Sequence, residues 1–267
     1  MSEGDLPVYL INLDRATERL ARVTARLRAA GLDRVTRISA VDGRQLSWGQ
    51  RLRLSSSLRF FMANARRLMP SELGCALSHG RVYAAMAAAG DGLALVFEDD
   101  VVLDVSALRA ALVRICAAAA ETSAPSVWLL NDTPAFTRGR DFAPGIHATA
   151  RAFFACSYVI NRAGAALLAR ENAPVCALAD AWGRWALCGL RVYWVTPFAC
   201  QTDAPESQIG WAVPVRARWG WYRALWSVRH ALGSALDRWL LRLRRRIRRG
   251  KPHPAGTFAE TGLDKGA

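Results

Sequence analysis

Lysine is almost missing from this chain: only Lys251 and Lys265 break a basic complement that is otherwise arginine. The bias runs along the whole sequence and reflects codon composition more than local chemistry. Long apolar runs are missing too, although 52% of residues are hydrophobic. Asp91, Arg109 or Arg114 cuts each stretch well short of the roughly 20 residues a spanning helix needs, so no transmembrane segment is predicted. The six cysteines (Cys75, Cys116, Cys156, Cys176, Cys188, Cys200) make no Cys-x-x-Cys pair and show no histidine at zinc-ligand spacing, which reads as buried free thiols. A chain of 267 residues in a reducing compartment needs no disulfide staples. No Gly-x-x-x-x-Gly-Lys loop and no Gly-x-Gly-x-x-Gly turn is present, which disfavours P-loop kinases and typical NAD enzymes. There is no Gly-x-Ser-x-Gly elbow, and His79, His147, His230 and His253 offer no metalloprotease pair. The first five residues are acidic where a secretory signal is basic, so the expected location is cytoplasmic.

What is present is a strand and helix alternation. Residues 8–13 form an apolar run, and Leu20, Val23, Leu27 and Ala30 then recur at helical spacing up to Gly31. Asp14 is placed to cap that helix and Gly31 to end it. A second strand is predicted over 35–41, then an arginine-rich loop with short helical pieces over 44–70, and a helix over 72–89. Residues 93–97 read as a buried strand, 106–120 as a helix and 127–130 as another buried strand. An added hairpin over 146–160, a short helix over 163–170 and a last strand over 191–195 complete the pattern. Such alternation implies an α/β domain with a mostly parallel sheet covered on both faces.

The strongest local signal is Glu98-Asp99-Asp100 directly after the apolar strand 93–97. Ligands of open α/β sheets gather beyond the carboxyl ends of strands. Crowded carboxylates repel one another, and a hard divalent cation relieves that repulsion while recruiting diphosphate oxygens. The plain alternative is a solvated acidic turn before the next helix. Asp132 also follows a predicted strand, although it equally suits a turn before Pro134.

Five segments together resemble glycosyltransferase family 25, over roughly residues 6–210. They are Val8-Tyr9-Leu10-Ile11-Asn12-Leu13-Asp14-Arg15 with Glu18-Arg19, then Ala40-Val41-Asp42-Gly43, then Ser71-Glu72-Leu73-Gly74-Cys75-Ala76-Leu77-Ser78-His79, then Leu95-Val96-Phe97-Glu98-Asp99-Asp100-Val101, and Ser157-Tyr158-Val159-Ile160-Asn161-Arg162-Ala163-Gly164-Ala165. The resemblance implies a GT-A-type nucleotide-diphosphosugar transferase fold, a single Rossmann-like domain over 1–215. It implies an inverting transfer of a hexose, galactose foremost, from a UDP-sugar to a lipopolysaccharide or lipooligosaccharide acceptor, assisted by Mn²⁺ or Mg²⁺. Asn12, Arg15 and Arg19 would then lie near the nucleotide, with Glu72, Ser78 and His79 on a nearby helix. Glu98, Asp99 and Asp100 would hold the metal and diphosphate. Two departures stand out. Ser71 replaces a frequent glycine, and Pro174-Val175-Cys176 replaces a Pro-aliphatic-Asp triplet, leaving Asp180 as the nearest acid. Asp180 is therefore the first candidate general base, with Asp100 or Asp132 as alternatives.

The net charge of +14 is unevenly spread, with nine arginines against one aspartate over 223–249. Leu225, Val228, Leu232, Leu236, Trp239, Leu243 and Ile247 recur there opposite Arg229, Arg238, Arg242, Arg245, Arg248 and Arg249, and Trp211, Trp219, Trp221 and Trp226 lie at or before the segment. A basic amphipathic helix with aromatic residues reads as a membrane-surface segment over 216–250, followed by a disordered tail over 251–267. The combined expectation is a transferase peripheral on the inner face of the cytoplasmic membrane, acting on a lipid-linked oligosaccharide. Two rivals remain: a catalytically inactive relative that binds or adheres, and a nucleic-acid-binding protein, for which a lone basic helix is weak support.

Overall fold

Val8–Asn12 form a strand of five buried residues, β1, about which the other elements are arranged. The computed structural model describes residues 6–64, 66–131, 138–149 and 152–203, with the side chains of 138–140 excepted. β1 runs parallel to β2 (Val35–Ser39) on one side and to β3 (Leu93–Glu98) on the other. The helix α1 (Thr17–Ala29) links β1 to β2 and buries Val23 and Leu27. It stops as expected at Gly31, whose φ is +77°. The Gly31 N–H bonds the Arg28 carbonyl at 2.9 Å and the Leu32 N–H bonds that of Leu27 at 3.0 Å, so two last-turn carbonyls are satisfied. Asp14 does not cap this helix. Ala16 stands at the N-cap with no side-chain bond, and the Asp14 carboxylate is taken instead by Arg37 and by the Ser39 hydroxyl of β2.

The remaining elements are α2 (Trp48–Leu54), α3 (Ser57–Asn64), α4 (Pro70–Ala89), β4 (Val101–Leu103), α5 (Val105–Ala120), β5 (Ser126–Leu129), β6 (Arg138–Ala143), β7 (Ile146–Thr149), β8 (Ser157–Asn161), α6 (Arg162–Glu171), α7 (Trp182–Leu187), β9 (Arg191–Val195) and β10 (Cys200–Thr202). Eight strands form one sheet in the order β2-β1-β3-β8-β5-β9-β7-β6, and β4 pairs with β10 in a separate ribbon. Side chains alternate across the sheet as the pleat requires. Val8, Leu10, Leu95 and Phe97 pack with α1 and α5 on one face. Tyr9, Ile11, Ala94 and Val96 pack with α4, α6 and α7 on the other. The α/β class and a sheet covered on both faces thus hold.

The sheet itself is mixed. β1–β2, β1–β3 and β5–β9 are parallel, whereas β3–β8, β5–β8, β6–β7 and β7–β9 are antiparallel. The predicted hairpin over 146–160 is not formed. Ile146–Thr149 pairs with the preceding β6 and with β9, while Ser157–Asn161 enters the sheet centre between β3 and β5. All five residues of β8 are buried, and a strand buried on both faces loses the alternation that marks a hairpin arm. The helix proposed over 223–249, its neighbouring tryptophans, the tail, the boundaries at 215 and 250, and Asp132 all lie outside the described residues. No helix of the described residues is long and apolar enough to cross a membrane.

Two glycines fix how the segment after β2 meets α4. The nearest atoms to a Cβ built on Gly43 are the backbone of Pro70 and the Gly74 nitrogen, and a Cβ on Gly74 would meet the Val41 carbonyl and Gly43 itself. Backbone lies on backbone here, so neither side can yield. The Ser78 hydroxyl completes the joint, donating to the Gly74 carbonyl at 2.7 Å and accepting the Val41 N–H at 2.9 Å. Gly74→Ala should cost about 2–3 kcal/mol through overpacking, read as a lower urea midpoint with unchanged slope, while Gly49→Ala, at an open position, should be near neutral.

Candidate active site

Strand order reverses at β1. The chain leaves β1 for β2 on one side and returns to β3 on the other, so the carboxyl ends of β1 and β3 flank a crevice of the kind where α/β proteins bind ligands. Asn12 closes β1, and Glu98 closes β3 with Asp99 and Asp100 just beyond it. Across that crevice the Asn12 amide donates to Asp99 Oδ2 at 2.7 Å and to the Ala16 carbonyl at 3.1 Å, while its own oxygen accepts from Arg37 Nε at 3.1 Å. Arg19, on the first turn of α1, reaches Asp99 at 3.1 Å and Asp100 at 3.2 Å. The β4–β10 ribbon holds the carboxylates from behind. The Asp203 N–H bonds the Asp100 carbonyl at 2.9 Å, and Arg26 pairs with Asp203 at 2.7 Å while donating to the Val101 carbonyl.

The carboxylates are crowded and half sheltered from water. Burial raises the Asp99 pKa against the lowering effect of Asn12 and Arg19. Burial, followed by repulsion from Glu98, pushes Asp100 up to about 6. Asp100 Oδ1 is buried with no hydrogen-bond partner, and an anionic oxygen so placed calls for a proton or a cation. The residues present therefore fit a divalent cation, with Asp100 offering the free oxygen.

A second cluster adjoins on the α4 side. His79 is buried; its Nδ1 lies 2.8 Å from the Tyr158 hydroxyl and its Nε2 lies 3.2 Å from Glu98 Oε1. Tyr83 meets the same Tyr158 hydroxyl at 3.3 Å. Ligand atoms of Cys75, His79 and Glu98 fall within 4.8 Å of one another, a possible metal-binding triad. The sequence reading that no histidine stands at ligand spacing from a cysteine is thus corrected, because Cys75 and His79 share one face of α4 four residues apart. Burial and the nearby carboxylates, Glu98 first, hold the Cys75 thiol well above its ordinary pKa, so only a bound cation would favour the thiolate.

Asp180 faces the same region. Burial raises its pKa; the Phe154 N–H, 3.1 Å from Oδ2, and His79 lower it, and Glu98 raises it. Phe154 holds a left-handed φ of +64°, and its carbonyl accepts the Trp182 indole N–H at 2.9 Å. A bulky residue in that region is strained, and such strain concentrates at sites. Tyr158 lies in the resemblance segment 157–165 but carries no assigned role there, and no sequence signal marks Phe154.

The other candidates are engaged elsewhere. Arg15 pairs with Asp42 at the crevice mouth. Glu72 accepts a two-pronged bond from Arg66 at 2.7 and 2.8 Å and the Met69 N–H at 2.9 Å, which makes it the brace of the α4 N-terminus. Ser71 is not the helix cap, since Met69 holds that position. Ser78 spends its hydroxyl on the Gly43–Gly74 joint.

Residues 5–123 match the model of glycosyltransferase family 25, described as an LPS biosynthesis protein family. Over these residues, somewhat less than half of the chain, the protein is similar to glycosyltransferase family 25. Two mosquito proteins, each named "Glycosyltransferase 25 family member", are similar over 99 residues: that of Anopheles gambiae at 35% identity and that of Aedes aegypti at 37%. The matched stretch covers 35% of this chain and 16% of either relative. The family 25 stretch contains Asn12, Arg15, Arg19, Glu72, Cys75, Ser78, His79 and Glu98-Asp99-Asp100, whereas Tyr158 and Asp180 lie beyond it.

The raised Asp100 pKa carries a stability consequence. A carboxyl whose folded pKa lies above its unfolded value of 3.8 contributes stability below that value, and this is lost as pH rises toward about 6. In chelator, Asp100→Asn should raise stability at pH 7 by on the order of 1–2 kcal/mol and flatten its decline between pH 4 and 7. Urea titrations at several pH values would reveal it, and a less stable Asn variant at pH 7 would reverse the assignment.

Proposed function

We propose that this protein is an inverting glycosyltransferase of GT-A arrangement, moving a hexose, galactose foremost, from a UDP-sugar to a lipopolysaccharide-type oligosaccharide. The observation that supports it most is the carboxylate group at the β1–β3 crevice, bridged by Arg19 and left with one unmet oxygen on Asp100. A chain with no glycine-rich phosphate loop needs another way to receive a diphosphate. A divalent ion, Mn²⁺ or Mg²⁺, held by Asp100 with Glu98 or Asp99 would supply Lewis-acid stabilisation of the leaving diphosphate. Arg19 and Arg15 add fixed positive charge at the same crevice mouth, and Asn12 orients Asp99.

Inverting transfer joins the acceptor oxygen to the anomeric carbon as the bond from that carbon to the diphosphate oxygen breaks, and its electron pair leaves with the diphosphate. The acceptor hydroxyl proton passes to a carboxylate. Asp180 suits that role because burial makes it more basic than an exposed aspartate, and the Phe154 N–H fixes which oxygen stays open. His79, bonded to both Tyr158 and Glu98, keeps Glu98 on the α4 side of the crevice. A lipid-linked acceptor would place the enzyme on the inner face of the cytoplasmic membrane, with 223–249 as a basic contact.

Calorimetry and UDP release test this reading. UDP binding in Mn²⁺ should weaken at least about tenfold in Asp100→Asn, equivalent to ~1.4 kcal/mol, and in chelator should fall for the wild type as well. Asp180→Asn should lower turnover by about 10² to 10⁴ with UDP affinity unchanged. Equal UDP binding with and without metal would overturn the metal assignment. Tight UDP binding with no turnover of any donor would leave a binding protein.

A further inference from the structure

The segment over 44–70 is expected only as an arginine-rich loop with short helical pieces, and of its arginines the site described above uses only Arg66, through Glu72. Its two short helices turn apolar residues outward. In α2, Trp48 and Leu52 stand four residues apart with 76% and 48% of their surface exposed. In α3, Leu58, Phe61 and Met62 sit at i, i+3 and i+4 with exposures of 74%, 48% and 47%. The inward side is filled separately by Phe60, which is buried, and by Leu46 and Leu54, which pack on α4 and Val175. The outward stripe is therefore surplus to the core, and single exposed apolar residues are ordinary whereas five within fifteen positions are not.

Charge identifies the occupant. Between Gly43 and Ser71 the sequence has six arginines (Arg44, Arg51, Arg53, Arg59, Arg66, Arg67) and no acidic residue. Of these, Arg53, Arg59 and Arg67 form no ion pair among the described residues. Tryptophan, phenylalanine and leucine flanked by unpaired arginines match an interface of anionic headgroups over acyl chains, where apolar tips bury and guanidiniums meet phosphate. A protein partner would have to set acidic groups around an apolar groove in one particular arrangement, whereas an anionic lipid interface offers both over its whole area.

We propose that the outer faces of α2 and α3 form a contact for an anionic lipid surface, with Trp48, Leu58 and Phe61 entering the interface and Arg53, Arg59 and Arg67 meeting its phosphates. The contact is distinct from 223–249 and stands whether or not sugar transfer is found. Its anchorage is firm: the Ser56 N–H bonds the Val175 carbonyl at 2.7 Å and Ser55 bridges Val175, in the segment that leads to Asp180.

Co-sedimentation of the full-length chain with phosphatidylglycerol-containing and pure phosphatidylcholine vesicles tests the proposal. The wild type should bind the anionic vesicles, and less so as salt rises. Trp48→Ser with Leu58→Ser and Phe61→Ser should weaken that binding at least about fivefold with melting unchanged, because the three side chains are solvent-facing. Arg53→Glu with Arg59→Glu and Arg67→Glu should weaken it similarly and flatten the salt dependence. Retention of binding by both variants gives the lipid contact to 223–249 and overturns the proposal. Equal binding to neutral vesicles overturns it, as does a wild type that binds no vesicles. A serine variant that loses self-association in sedimentation velocity while keeping vesicle binding shows instead that the face is covered by a second copy.

Discussion

One guanidinium faces two carboxylates at the end of β3, and much of the molecule can be read as a way of holding that unequal arrangement together. Arg19 can reach both Asp99 and Asp100 only if α1 starts directly after β1 and β1 lies beside β3. That adjacency comes from the crossover to β2 and back, which also creates the crevice. Asn12 locks the register, because its buried amide has partners on every side: Asp99 and Ala16 for its N–H groups, Arg37 for its oxygen. Replacing it with an apolar residue would leave a half-buried carboxylate short of a donor, which costs more than the bond itself contributes. Arg37 in turn is held by Asp14, so β2 enters the same network. The aspartate that sequence spacing assigns to capping α1 is engaged in bracing the strand that supports Asn12.

The other wall of the site depends on shape more than charge. Gly43 and Gly74 permit backbone to lie against backbone, and this brings the start of α4 close enough for His79, one and a half turns further on, to reach Glu98. The antiparallel β8 matters for the same reason. Inserted beside β3, it presents Tyr158 to the α4 side, where it meets His79 and Tyr83. A purely parallel sheet would have brought a strand's carboxyl end, not its start, to that position.

Legibility in the sequence followed this division. Elements with a strong period or a continuous apolar run, β1, α1, α4, β3, α5, β5 and β9, were readable because each carries its pattern within its own residues, even where, as for β1, β5 and β9, the partner strand is distant in the chain. The short helices α2 and α3 were seen only as helical pieces, since their apolar residues face both inward and outward and blur the period. β8 was mistaken for a hairpin arm because continuous burial removes alternation. Of the candidate site, Glu98-Asp99-Asp100, Asn12 and Arg19 were legible from their position at strand and helix ends. The pairing of Cys75 with His79 was visible as spacing yet not recognised, since its significance depends on Glu98 arriving from a distant strand. The left-handed Phe154 beneath Asp180 has no signature at all, because its conformation is imposed by the contacts around it.

Glu98 links the two walls electrostatically. Its oxygen is engaged by His79, yet its charge is felt by Asp99, Asp100, Asp180, Cys75 and Tyr158, each of whose pKa values it raises. Asp99, Asp100 and Asp180 are thereby biased toward their protonated forms, a bias that Arg19 offsets only in part for Asp99 and Asp100. A cation bound against Glu98 offsets that bias for all of them at once, since the interaction falls only slowly with distance in a sheltered region. Deprotonation of Asp180 would then be coupled to a cation on the opposite side of the crevice through Glu98 alone. The unpartnered oxygen of Asp100 fits the same picture: burial and Glu98 raise its pKa to about 6, so that a proton, or a cation if one is held there, would answer the charge that no hydrogen bond meets.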